Sequence, residues 1–248
     1  MGTDNGDSFL GIDEVIEKTH HRYGKDEVIR FFESGELRGR KNNGEWRTSG
    51  ADFEEFFNKK VKELAHFVEG IEVDLSDTDL KGTILDIGGG GEGVIGKLAG
   101  KSVIAIDLHK SELEEAGCEC VKIVMDATDM KFTDEVFDAA TAFFTFMYMD
   151  RKDQEKTLKE IFRVMRNGGE LEIWDLKIPE NPDGDKSIYA ATMEINLGRR
   201  RISAGYGTSW DKTQDMESIC SAAIKCGFDP IDKDEQEHTF HLRFRKRK

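Results

Sequence analysis

Proline, usable cysteine pairs, long apolar runs and positive charge are all in short supply in this 248-residue chain. Its three prolines, Pro179, Pro182 and Pro230, all fall in the last third. The four cysteines are spaced C-x-C at Cys118 and Cys120 and C-x5-C at Cys220 and Cys226. Neither spacing is that of a zinc knuckle, and His20-His21 is remote in sequence, so no metal site is expected. Free, mostly buried thiols in a reducing compartment are the expectation instead. The longest apolar stretch, Ala139 to Met149, is far too short to span a bilayer. No apolar run follows a basic start, and Gly6 stands where a myristoylation motif wants Ser or Thr, so neither a signal peptide nor a lipid anchor is expected. Thirty-six Lys and Arg face 50 Asp and Glu, and a net charge of −14 argues against a surface that tracks phosphate throughout. Hydrophobic residues at 38% are enough for a real core, which excludes wholesale disorder. The expectation is an acidic cytoplasmic protein of one or two domains, with no membrane partner.

The pattern along the chain changes near residue 70. Residues 1–8 read as a frayed tail. Residues 9–69 read as a helical module. Val28, Phe31 and Phe32 share one face, and Phe53, Phe56, Phe57, Val61, Leu64 and Phe67 run as a stripe along one long helix that Gly70 stops. Between those helices, Gly35 to Thr48 reads as a turn and a short hairpin. Residues 70–82 read as an Asp-rich connector, and 83–248 as a second domain. In that domain strands are expected at Thr83–Asp86, Ser102–Asp107, Cys120–Met125, Asp138–Phe143 and Leu171–Asp175. Helices fit between them: after Glu92, from Ser111 with Glu114 completing a capping box, and from Asp150 to Met165. Asn167-Gly168-Gly169 reads as the turn from that last helix to its strand. Alternation of this kind implies an α/β domain with a doubly wound, mostly parallel sheet. After a helix at Gln214–Cys226, Phe228–Asp232 and His238–Arg245 are too close for a helical crossover and should pair antiparallel. Phe240, Leu242 and Phe244 mark the buried face of the last strand.

Ile84-Leu85-Asp86-Ile87-Gly88-Gly89-Gly90-Gly91-Glu92-Gly93 reads as a strand, a glycine turn and a helix start. Glycines let a ligand approach the backbone closely. Gly88, Gly90 and Gly93 also satisfy G-x-G-x-x-G, so a nicotinamide or flavin site, and a tight turn with no ligand, both stand as alternatives. Two further acids narrow the choice. Asp107 closes the second strand, where a carboxylate can take both ribose hydroxyls. Asp126 closes the third, where it can accept from an adenine amino group. Asp86 so near the turn would repel a pyrophosphate, whereas a cationic ligand with an amino group suits all three acids. S-adenosylmethionine carries a sulfonium, an ammonium, a ribose and an adenine.

These residues resemble the class I S-adenosylmethionine-dependent methyltransferases, in their broad small-molecule branch. The resemblance rests on Leu85-Asp86-Ile87-Gly88-Gly89-Gly90, Ile106-Asp107-Leu108, Met125-Asp126-Ala127, Phe137-Asp138-Ala139-Ala140-Thr141 and Asn167-Gly168-Gly169, in order. It implies a Rossmann-like sheet of seven strands with the last one antiparallel. It also implies that Gly88, Gly89 and Gly90 pass against the methionine part of the cofactor, and that Asp107 holds the ribose with Leu108 on the adenine. Asp126 and Ala127 would meet the adenine edge, while Ala142 and Phe143 close the pocket beside the sulfur. Ordinary core packing is the other reading of Leu108 and Phe143. The family's usual third glycine falls here on Glu92.

The methyl acceptor is far less legible. The chain has Phe143-Phe144-Thr145-Phe146-Met147-Tyr148 after the fourth strand. It lacks both the Asp/Asn-Pro-Pro-aromatic tetrapeptide of exocyclic-amine DNA methyltransferases and a Pro-Cys nucleophile. Tyr148 and Lys152 form a Y-x-x-x-K with no serine about a dozen residues upstream, which reads as chance on a helix start. The long connection 178–212 should be a hairpin insertion, Ser187–Ile195 with Ile202–Trp210, over the acceptor side. Thr145, Tyr148, Trp174, Tyr189, Tyr206 and Trp210 are candidates to line a small-molecule pocket, or simply to pack that hairpin. Tyr148 and Asp175 are the candidates for a general base, if one is used.

The N-terminal segment, from Phe31-Phe32-Glu33-Ser34-Gly35 through Gly44-Glu45-Trp46-Arg47 to Phe56-Phe57, resembles an excisionase-type winged helix. That resemblance implies a DNA contact through residues 22–47, with a wing at Arg38–Arg47. A DNA-binding regulator with a cofactor-sensing domain is therefore the rival to an enzyme. Ten basic against 13 acidic residues in 1–60 weigh against groove reading. A helical cap or a protein-contact module is the alternative use of this segment. The basic end, Arg243 to Lys248, reads as a solvated strand end.

Overall fold

A computed structural model describes residues 9–19, 22–182 and 184–247. The tail at 1–8 and His20-His21 lie outside the described residues. Two compact units meet between Ala65 and His66. Among the described residues, no helix is long and apolar enough to cross a membrane.

The first unit runs through β1 (Phe9–Leu10), α1 (Ile12–Lys18), α2 (Lys25–Ser34), β2 (Arg40–Asn42), β3 (Glu45–Ser49) and α3 (Gly50–Leu64). Its strands form a small sheet in the order β1-β3-β2. Asn43 and Gly44 both take positive φ at the β2–β3 turn, the geometry that matches the twist of a tight hairpin. Ser49 caps α3 by accepting from the Asp52 amide at 3.1 Å, and Gly35 ends α2 at φ 76°. Val15, Val28, Phe32, Leu37, Phe53 and Phe56 make the core.

The stripe expected to carry α3 to Phe67 breaks at Leu64, and β4 (Ala65–Asp74) begins there. Gly70 lies inside that strand at φ 76° rather than stopping a helix. The buried residues of β4 are Ala65, Val68, Ile71 and Val73. Their spacing passes from three to two around Gly70, so an irregular strand imitates a helical period. Half-exposed Phe67 is outside the core, and the expected connector starts five residues inside the strand.

The second unit continues with β5 (Ile84–Ile87), α4 (Val94–Ala99), β6 (Val103–Asp107), α5 (Lys110–Glu115), β7 (Val121–Val124) and β8 (Phe137–Phe143). It then runs through α6 (Arg151–Val164), β9 (Met165–Leu176), β10 (Ile188–Asn196), β11 (Arg201–Ser209), α7 (Met216–Lys225), β12 (Phe228–Glu235) and β13 (Thr239–Lys246). Seven strands form one sheet in the order β12-β13-β9-β8-β5-β6-β7. β5 pairs parallel with both β6 and β8, and β13 runs antiparallel to β9 and to β12. The strand order reverses at β5, so a crevice opens at the carboxyl ends of β5, β6 and β8.

The sheet has two differently built faces. Leu158, Ile161 and Val164 of α6 and Ile219, Cys220 and Ala223 of α7 pack on one, with Leu85, Ile87, Ala142, Ile173 and Leu242. On the other, α4 and α5 share the covering with a second sheet, ordered β11-β10-β4. The hairpin β10–β11 thus joins β4, a strand about 120 residues earlier, instead of standing alone as an insertion.

Three smaller expectations fail locally. α5 is capped at His109 without a side-chain bond, because the Asp107 carboxylate takes the His109 amide at 2.9 Å and the helix starts ahead of Ser111. Asn167-Gly168-Gly169 lies within β9 as an irregularity, with Gly168 at φ 82°, rather than between two elements. Cys118 and Cys120 are joined in a disulfide, while Cys220 and Cys226 are free thiols. The bend before β7 brings the first pair's Cα atoms to 5.4 Å, within bridging range, which a search for zinc spacing does not consider.

Candidate functional site

The glycine turn leaves β5 at the point where the strand order reverses. The amides of Gly88 and Gly89 both reach the Ile106 carbonyl, at 2.9 and 3.1 Å, so the turn is pinned to the end of β6. Gly88 sits at φ 68°, and a Cβ there would lie 2.6 Å from the Thr145 side chain. A Cβ on Gly89 would lie 2.5 Å from Asp86 Oδ2, and one on Gly90 2.8 Å from Asp107 Oδ2. The acids therefore press against the turn closely enough that only glycine fits.

The three acids differ in environment. Asp86 is 2% exposed beneath the turn, and its Oδ1 accepts from the Thr141 hydroxyl at 2.7 Å. Burial, reinforced by the charge of Asp107, pushes its pKa up to about 7. Asp107, half-buried, ends β6 and turns its Oδ1 onto the His109 amide. Asp126 lies two residues beyond β7, exposed. The Thr128 amide and hydroxyl, each at 2.8 Å, hold its carboxyl below the usual range. Beside Asp107, Leu108 is 63% exposed, an apolar side chain open to solvent at the crevice rim.

Across the crevice stands β11. Thr208 Oγ donates to the Met147 carbonyl at 2.9 Å and ties this strand to the turn at Phe146–Tyr148. The Tyr206 ring stacks on Phe144 (centroids 4.9 Å apart, 13° between planes) and meets Phe143 edge-on at 6.3 Å. Tyr148 is 55% exposed. Desolvation, then the charges of Asp175, Glu92 and Glu112, raises its pKa. Tyr206 is raised in the same way, by desolvation first and then by Glu92. Both phenols stay protonated.

Residues 85–173 match the family model described as a methyltransferase domain. The demethylmenaquinone methyltransferase of Mycolicibacterium paratuberculosis is 29% identical over 157 residues, covering 50% of this chain and 64% of that protein. A sterol 4-C-methyltransferase of Caenorhabditis elegans is 24% identical over 159 residues, covering 64% of this chain and 45% of that protein. The chain thus spans less than two thirds of either relative's length. Among solved structures, the PH0226 protein of Pyrococcus horikoshii superposes with a TM-score of 0.52 at 14% identity, covering 70% of this chain and 85% of that one. That likeness concerns the fold alone.

Within the second unit, the residues expected from the sequence divide. Asp86, Gly88, Gly89, Gly90, Asp107 and Leu108 gather at the turn, with Asp126 and half-buried Ala127 beyond β7. Exposed Leu108 is not core packing. Ala142 is fully buried in the cluster that includes α6, on the sheet face opposite Phe143, because side chains alternate along β8. Phe143 belongs to both readings, packed on Phe144 and facing Tyr206. Thr145 is 7% exposed and gives its hydroxyl to the Ile87 carbonyl at 2.9 Å, so it braces the glycine turn.

The base candidates fare poorly. Raised and protonated, Tyr148 does not suit a base. Asp175 is fully buried and accepts from the Met147 amide at 3.2 Å, the Leu176 amide at 2.8 Å and Gln214 Nε2 at 3.0 Å. Burial pushes its pKa to about 7 despite these donors. It fixes the turn that carries Tyr148. Trp174 faces the other side of the sheet from Asp175, packed 5.9 Å from Phe143 and stacked on His241 at 4.3 Å. Tyr189 is buried between His66 and Trp210, whose indole donates to the Pro179 carbonyl, so these two rings pack the hairpin. Two contributors went unforeseen. Glu92 was visible only as a missing glycine. Phe144 holds φ 51°, uncommon for a bulky residue, and nothing in its sequence neighbourhood signals that.

Proposed function

We propose that this protein transfers a methyl group from S-adenosylmethionine to a small-molecule acceptor. The observation that carries the reading is the set Asp86, Gly88–Gly90, Asp107 and Asp126 at the reversal point of a seven-stranded sheet whose β13 alone runs against the rest. Bound there, the cofactor supplies an electrophilic methyl carbon. Asp107 takes the ribose hydroxyls, exposed Leu108 covers one adenine face, and Asp126 with Ala127 meets the adenine edge. Gly88–Gly90 line the methionine part, with Asp86 beneath as a buried carboxylate facing a cation. Phe143 and Tyr206 close the crevice and exclude water. Positioning and desolvation then account for most of the acceleration, and no general base among Tyr148 and Asp175 is needed. Calorimetry tests this: S-adenosylmethionine should bind with micromolar or better affinity and NAD much more weakly. Preference for NAD, or no binding, overturns it.

We read the first unit as a winged-helix-like module, on the basis of helices α1 and α2, the β2–β3 hairpin and α3. Its wing is a poor phosphate surface. Arg38 pairs with Glu55 at 3.0 Å, Arg47 with Glu45 at 3.6 Å, and Lys41 lies over the Trp46 ring at 5.0 Å. The DNA-binding alternative gains no support from this arrangement.

A further inference from the structure

We propose that Cys118 and Cys120 form a reversible dithiol–disulfide site, reduced by small thiols, whose state sets how firmly the glycine turn is held. The site stands apart from the methyl-transfer reading above, and only the ligand used as one readout rests on that reading.

The bridge joins residues two apart in the bend between α5 and β7. A link across so few residues removes little chain entropy from the unfolded state, so the fold loses little when it opens. Both cysteines are half-buried, with exposed Gly117 and Glu119 beside them, so a thiolate from solvent has a path to sulfur. Lys122 donates to the Ala116 carbonyl, and Lys97 Cε lies 4.0 Å from where a Cβ on Gly117 would stand. Lys101 offsets Glu119 at 3.8 Å. Positive charge at the bend favours the thiolates through which exchange runs.

The two sulfurs lie against α4 in the space that Gly96 leaves open. A Cβ on Gly96 would stand 2.6 Å from Cys118 Sγ and 2.8 Å from Cys120 Sγ. Two unbonded thiols need more room than two bonded sulfurs, and the helix backbone blocks them on that side. Opening the bridge therefore moves the bend outward. That bend and the end of α5 support the glycine turn. A Cβ on Gly93 would stand 3.0 Å from Ala116 Cβ, and the Gly91 amide donates to the Glu112 carbonyl at 2.9 Å. Movement of the bend loosens the turn at the crevice.

In the reduction, a small thiolate attacks one bridge sulfur, the S–S bond breaks and the other cysteine leaves as a thiolate. A second small thiolate then displaces the remaining cysteine from the mixed disulfide. Two electrons pass to the protein, and two protons from the small thiols reach the cysteines through solvent. The small thiols leave as their own disulfide, and the reverse sequence restores the bridge.

The test uses the full chain in mixtures of reduced and oxidised glutathione, with peptide mapping after alkylation. Cys118 and Cys120 should pass together between bridge and thiols at a finite glutathione ratio and return on reoxidation, with circular dichroism unchanged. Reduction should speed amide exchange in residues 88–93 at least fivefold and weaken S-adenosylhomocysteine binding at least fivefold by calorimetry. Saturating S-adenosylhomocysteine should then shift the reduction equilibrium by the same factor as the affinity changes. The double variant Cys118→Ser, Cys120→Ser should match the reduced protein and ignore glutathione, whereas Cys220→Ala with Cys226→Ala should keep the full response. A pair that stays as thiols at every ratio, a bridge that opens only on unfolding, or equal exchange in both states would overturn the assignment. So would a glutathione response that survives in the double serine variant, or equal S-adenosylhomocysteine affinity in both states. Failure to bind S-adenosylhomocysteine in either state removes the methyl-transfer reading, and exchange at 88–93 then decides the redox site by itself.

Discussion

The cofactor side and the acceptor side of the crevice are built by different means. On the cofactor side, each residue sits at or just after the end of its own strand: Asp86 in β5, Asp107 in β6, Asp126 after β7. A strand, a turn and an acid follow one another within a few residues, so the chemistry is encoded in short local stretches. On the acceptor side, Tyr206 and Phe144 meet from segments 62 positions apart in the numbering, and only because β10 pairs with β4 and carries β11 beside it. The first arrangement tolerates change elsewhere in the chain. The second depends on how a distant strand docks.

The contrast breaks most sharply at Asp107. Replacing it with alanine removes two charge-assisted hydrogen bonds to the cofactor of about 1.5 kcal/mol each, so cofactor affinity should fall on the order of 10²-fold by calorimetry, while the lost bond to the His109 amide costs only about 1 kcal/mol of stability. A large loss of stability with unchanged cofactor affinity would place Asp107 in the scaffold instead.

Asp86 should give a smaller, pH-dependent effect. Its pKa lies at about 7 in the fold against an ordinary 3.8. A carboxyl that holds its proton longer in the fold than in the unfolded chain favours the fold below the unfolded value. That advantage shrinks as pH climbs from about 4 to about 7 and is gone above. A cationic ligand works in the opposite sense, since it prefers the ionised carboxylate. Cofactor affinity should therefore rise with pH up to about 7, weakening by up to about tenfold per unit below that value. Calorimetry in buffers of different ionisation enthalpy should show proton release near pH 6.5. Asp86→Asn should flatten both the affinity profile and the proton release, and a wild-type profile already flat between pH 5 and 8 would detach Asp86 from the ligand.

The smallest effect belongs to the link between the two sides. Tyr206→Phe keeps the ring on Phe144 and removes only the desolvated hydroxyl beside the charge of Glu92. Stability should drop by about 1 kcal/mol in denaturant melts, with cofactor affinity within about threefold of the wild type. A cofactor loss as large as that of Asp107→Ala would show that the two sides are one unit.

What was legible follows the same division. The alternation of strands and helices, the glycine turn, three acids and the antiparallel last pair could all be read from neighbouring residues. Placing Trp174 and Asp175 in one pocket failed because consecutive residues of β9 face opposite sides of the sheet. Extending α3 to Phe67 failed because Ala65, Val68 and Ile71 keep a helical spacing while β4 bends at Gly70. Expecting only free thiols failed because a local bend, not a ligand spacing, brings Cys118 to Cys120.

By itself, the sequence determined the elements of the seven-stranded sheet and the acids at its carboxyl edge, because hydrophobic period and turn chemistry act over a few residues. Only the tertiary structure decided that β4 and the hairpin form a second sheet over one face. It also decided which carboxylates are buried enough to hold a proton near neutrality, and that Tyr206 stacks on Phe144. Strand pairing across more than 100 residues and desolvation depend on the whole packed domain, and neither leaves a mark at the position where it acts.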